Sequence, residues 1–75
     1  MSAVSEKVIN ISKTYLGPAT ESFLARQCKG HLKLELADLT SANLKDLAKW
    51  VKEGAGLIMD ADKASQLASK ISSVS

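Results

Sequence analysis

The dipeptide Gly17-Pro18 forces this chain to change direction early, and the stretch Tyr15 to Leu24 around it holds the only proline, tyrosine and phenylalanine. Glycine takes the left-handed conformation that closes a helix. Proline, with its fixed φ and missing N–H, suits the first position of the next one. Two helices meeting at this corner, with Tyr15 before it and Phe23 after it, are the starting point for the rest of the fold.

Before the corner, Val4, Val8, Ile11 and Tyr15 recur at helical spacing, with Ile9 and Leu16 widening the stripe. This predicts an amphipathic helix over about 3–16, capped by Ser2. The β-branched Val8, Ile9 and Ile11 leave a strand as the competing reading. After the corner a second helix is expected over 18–31, burying Phe23, Leu24, Gln27 or Cys28, and His31 or Leu32, with Gly30 either ending it or tolerated inside it. Residues 33–38 read as an extended connection whose leucines plug the core. A third helix is expected over 41–54, with Thr40 as its N-cap and Leu39 and Leu44 as a hydrophobic staple. Its inward face is Leu44, Leu47, Ala48 and Val51, while Lys45, Asp46, Lys49 and Lys52 point outward. Gly54 and Gly56 predict a break or a loosened last turn that permits close backbone approach. Asp60 caps a last helix over 60–71, with Ala64, Leu67, Ala68 and Ile71 inside. The expected architecture is an all-α compact bundle of four helices forming a single domain over residues 1–75.

The charges restrict function more than they suggest it. Ten Lys and Arg against eight Asp and Glu leave a net charge of +2, spread along the chain without a run. That bias is too weak to imply a nucleic-acid or anionic-membrane partner. The longest uninterrupted apolar run, Leu57 to Met59, is far shorter than a bilayer requires, so no membrane partner is expected. A single cysteine, Cys28, cannot form an intramolecular disulfide, which fits a reduced, cytoplasmic setting.

Each candidate for chemistry has a simpler structural reading. Cys28 and His31 would share a helix face, yet no second Cys or His exists to complete a metal site or a catalytic set, and a small buried thiol with a partly buried histidine near a helix end explains both. Asp60 and Asp62 open like a calcium loop but lack its glycine and closing glutamate. Gly54-Ala55-Gly56 lacks the strand and the Gly-Lys-Ser/Thr of a phosphate loop. No cofactor and no catalysis are expected. Arg26, Lys29, His31 and Lys33 form a short positive segment that could meet phosphate, but the third helix mixes its lysines with Asp46 and Glu53 and carries no row suited to base edges. A small helical nucleic-acid-binding protein is therefore the alternative reading. Trp50, beside the apolar face of the third helix, either completes the core or anchors an interface.

The words Tyr15-Leu16-Gly17-Pro18-Ala19, Phe23-Leu24 and Arg26-Gln27 resemble a small helical domain of uncharacterised function at the ends of bacterial signalling chains. Those chains include serine/threonine kinases and response-regulator-like proteins. The resemblance covers Ile9 to Leu32. It implies a bacterial regulatory or interaction module without catalytic residues, and it transfers no site. The expected function is protein interaction or dimerisation, through an exposed apolar patch of Trp50, Leu57, Ile58 and Met59.

Overall fold

A computed structural model describes residues 1–74. No strand occurs among them, and the chain is all-helical around one apolar core. Three regular α-helices dominate: α1 (Ala3–Leu16), α3 (Leu44–Ala55) and α4 (Ala61–Ser72). The expected second helix, over 18–31, is not one regular element. Its span begins with a 3₁₀ turn (Gly17–Ala19), continues as the short α2 (Thr20–Gln27) and ends in a π turn (Cys28–Leu32). The expected bundle of four helices is therefore three full helices and one composite segment.

The corner works as its residues dictate. Gly17 has φ +59°, where a side chain would be strained, and its N–H donates to the Lys13 carbonyl. Pro18 follows in the 3₁₀ turn, and the buried Thr20 hydroxyl donates to the Gly17 carbonyl at 2.6 Å. The other end of the composite segment departs from expectation. Gly30 does not terminate it. Lys33 does, in the left-handed region at φ 58°, with its N–H donating to the Cys28 carbonyl.

On α1 the buried line is Ser5, Val8, Ile9 and Ser12, whereas Val4, Ile11 and Tyr15 are half-buried. The inward face is rotated from the expected one because two serines, which hydropathy reads as surface, lie inside. Ser5 satisfies its hydroxyl on the Ser2 carbonyl at 2.9 Å. Ser2 caps the helix, accepting from the Ser5 N–H at 3.0 Å, and its hydroxyl donates to the Leu39 carbonyl at 2.7 Å. The cap thus also holds the connection between α2 and α3 in place. That connection buries Leu36 and packs the half-buried Leu34 against the core, but residues Leu36–Asp38 form a 3₁₀ turn and are not extended.

Thr40 does not cap α3 directly. A 3₁₀ turn (Ser41–Asn43) intervenes, and the Asn43 side-chain oxygen accepts from both the N–H and the hydroxyl of Thr40, each at 3.0 Å. Leu39 and Leu44 are both buried. α3 then runs unbroken through Gly54 to Ala55, and a turn over 56–58 follows. Asp60 caps α4, accepting from the Lys63 N–H at 2.9 Å. α3 and α4 make the most extensive helix–helix contact in the molecule.

Candidate interaction surface

The surface where the sequence places an interface lies at the end of α3. Leu57 and Ile58 sit in the turn after Gly56, too far along for the inward face of α3 and before the cap of α4. Nothing covers them: Leu57 is 87 % and Ile58 65 % exposed, the largest such exposures in the chain. Beside them is a cleft of about 370 Å³ between α2 and the end of α3, bordered by Ala19, Phe23, Arg26 and Gly54. Exposed leucine and isoleucine next to an apolar hollow are the signature of a surface that a partner can cover.

Close approach at Gly54 shapes this cleft. A Cβ built there would lie 2.9 Å from Gln27 Nε2 and 3.1 Å from Phe23 Cζ. The glycine thus leaves room for the Gln27 and Phe23 side chains against α3, without the expected helix break and without a close approach of backbones. Two of the four expected patch residues are not free. Met59 is half-buried against the core. Trp50 is half-buried and stacked on His31, with ring centroids 3.9 Å apart and planes 4° from parallel. The Lys49 ammonium stands 4.9 Å from the centroid of the same Trp50 ring. The patch is thus Leu57 and Ile58, and Trp50 instead joins α3 to the π turn.

The π turn also separates Cys28 from His31. Cys28 is fully buried, while His31 is exposed on Trp50. Burial pushes the Cys28 thiol up to about 11, so it stays protonated and is a poor nucleophile. Among the described residues no group of three or more His, Cys, Asp and Glu could hold a metal ion. The positive segment is partly neutralised, since Lys29 pairs with Glu35 at 3.5 Å on the surface. A larger hollow of about 640 Å³ between α1 and α4 is open and has no exposed apolar side chain. No described helix is long and apolar enough to cross a membrane.

Sequence reasoning missed one arrangement. Lys45, Lys49 and Lys52 line a groove with Ser65, Ser69 and Ser72, floored by Ala48 and Ala68, and neither Asp46 nor Glu53 takes part. Both triplets follow the spacing i, i+4, i+7, so the signal was present as two matching helical flanks. It was lost because the charges of α3 were read as one mixed outward face. Comparison of the chain with family models, curated proteins and solved structures finds no match.

Proposed function

We propose that this chain is a non-catalytic protein-interaction module that dimerises through Leu57, Ile58 and the cleft beside Phe23. The observation that carries the reading is the exposure of these two large apolar side chains next to a hollow able to receive them. A second copy is the occupant this arrangement fits. Leu57 and Ile58 form one wall of the cleft in each copy, so a two-fold rotation that brings the two clefts face to face covers both apolar pairs at once. The resemblance carried by Tyr15–Ala19, Phe23-Leu24 and Arg26-Gln27 supports placing the module in bacterial signalling or regulation, and the single cysteine supports a cytosolic setting. The buried, protonated Cys28 and its separation from His31 support a non-catalytic role.

The energetics favour a weak dimer. A standard interface buries about 800 Å² per partner, close to a fifth of the 4432 Å² surface of this chain. Covering Leu57 and Ile58 contributes roughly 1.5–3 kcal/mol each, against an association cost of at least ~4 kcal/mol. Light scattering over a concentration series tests the reading. The mass is expected to rise from monomer to dimer in the micromolar range or above, and Leu57→Ser/Ile58→Ser is expected to remain monomeric with unchanged helicity. A wild-type chain that stays monomeric throughout, or a double variant that dimerises equally well, overturns it.

A further inference from the structure

We infer that Gln27 makes the cleft specific for a second copy of this chain, by pairing its side-chain amide with the same amide of that copy across the two-fold axis. The inference rests on the dimer reading above and names the contact that selects the partner. Phe23 and Gln27, four residues apart on α2, both line the cleft and both reach Gly54 of α3. Gly54 has no side chain, and the Gln27 amide takes the space that one would need. A Cβ at Gly54 would lie 2.9 Å from Gln27 Nε2 and 3.5 Å from its Cδ. The amide is therefore seated against α3, half-buried and beside Leu57 and Ile58.

Seated there, it has no partner within the chain. Among the described residues none of the side-chain hydrogen bonds involves Gln27. The other polar residues lining the cleft, Ser22 and Arg26, are exposed and keep their contact with water. Gln27 is thus the polar group that a cover over the cleft would strip of water.

That cost decides what can cover the cleft. An apolar segment would shield Leu57 and Ile58 but leave the amide unpaired, and an unpaired buried polar group opposes binding. A cationic segment finds no carboxylate among the lining residues. A second copy solves the problem without new chemistry. A primary amide carries N–H donors and a carbonyl acceptor. Two-fold rotation sets the N–H of each amide against the carbonyl of the other, so two reciprocal hydrogen bonds form and no charge is buried. A single asparagine in the apolar seam of a coiled coil fixes register and oligomeric state in the same way.

Light scattering of the full chain tests the pairing with Gln27→Glu and Gln27→Lys. Residue 27 is half-buried at the last position of α2, so both variants are expected to fold, with helicity by circular dichroism as the check. Each alone brings two like charges together at the axis and is expected to weaken the dimer at least about tenfold. An equimolar mixture of the two places opposite charges there and is expected to dimerise at least as well as wild type at low salt. Gln27→Met tests the amide itself. Its homodimer is expected to persist, because both polar groups are replaced together. Mixed with isotope-labelled wild type, it should form less than the statistical share of heterodimer by native mass spectrometry, because one amide is then left unpaired. Wild type that stays monomeric overturns the dimer reading and the pairing with it. A wild-type dimer overturns the pairing alone if either charged variant dimerises as well as wild type, if their mixture stays monomeric, or if the methionine variant mixes at the statistical share.

Discussion

The two seams of α3 are built in opposite ways. Toward α4, α3 presents Leu44, Leu47, Ala48, Val51 and Ala55 to Ala64, Leu67, Ala68 and Ile71, and all nine are buried. Both helices keep the same i, i+3, i+4, i+7 spacing, so large and small side chains interdigitate along the whole contact. Toward α2 the same helix meets eight α-helical residues that pass into a π turn, a glycine at the closest approach, and half-buried aromatics. The regular seam closes completely and leaves only a groove between its lysine and serine flanks on the outside. The irregular seam runs to Gly54 near the end of α3, and Leu57 and Ile58 in the turn beyond remain outside it. Regular packing accounts for stability here, and the interruption of that packing accounts for the exposed apolar surface.

Leucine truncation separates the two seams most strongly. Leu47→Ala, in the closed seam, is expected to cost about 2–5 kcal/mol in a urea titration followed by circular dichroism, as for other buried leucines. For a chain this short that is a large share of the total stability, which is on the order of 4–11 kcal/mol at 0.05–0.15 kcal/mol per residue. Leu57→Ala, beyond the open seam, is expected to shift stability by less than about 0.5 kcal/mol. Comparable losses from both variants would mean that Leu57 is covered in solution and that the contrast is false.

The same division governs what the sequence reveals. α1, α3 and α4 are legible because apolar spacing and capping residues agree: Ser2 and Asp60 are read directly as caps, and the bounds of each helix fall within a few residues. The break expected at Gly54 does not occur, because α3 carries through it with the Gln27 and Phe23 side chains packed alongside, whereas Leu57 and Ile58 are legible as apolar residues left over once the helical stripes are assigned. The composite segment is not legible. Its irregularity depends on Lys33 adopting a left-handed conformation that local propensity gives to glycine, and Gly30 three residues earlier draws the eye instead. Stacking of Trp50 on His31 follows from the same π turn, which carries His31 out to α3 while Cys28 stays inside. The rotation of α1 was hidden because Ser5 finds its partner in the adjacent cap, a local hydrogen bond that hydropathy does not count.

Cys28 gives a smaller effect that reports on the open seam from beneath. Its thiol is buried, and burial raises it from 9.0 to about 11. Because the folded protein favours the neutral form, the associated stability is complete below the unfolded value and is lost as pH rises through the folded one. The window is therefore pH ~9 to 11, and two pKa units correspond to about 2–3 kcal/mol as an upper bound. The informative quantity is the difference between wild type and Cys28→Ala. Chemical denaturation at pH 8 and pH 11 is expected to show a larger loss for wild type than for the variant. Equal losses would mean that water reaches the thiol and that the seam is open down to the core.

The smallest effect tests whether the irregular seam is strained at its end. Lys33 sits at φ 58°, a conformation that costs a non-glycine residue about 1 kcal/mol, yet its N–H closes the π turn on the Cys28 carbonyl. Its side chain is exposed and forms no ion pair among the described residues. Lys33→Gly removes the steric cost and loses no packing, while the greater freedom of glycine in the unfolded chain offsets part of the gain. The expected outcome is a stabilisation of about 0.5–1 kcal/mol, seen as a rise in the melting midpoint with no change in the Trp50 emission maximum. Gly30→Ala serves as the companion, because no atom lies within 4 Å of a Cβ at that position and its backbone φ is unexceptional. It should stabilise by a similar amount through helix propensity alone. If Lys33→Gly destabilises while Gly30→Ala stabilises, the left-handed residue is held by its surroundings, and the irregularity of this seam comes from packing against Trp50 and not from how the segment ends.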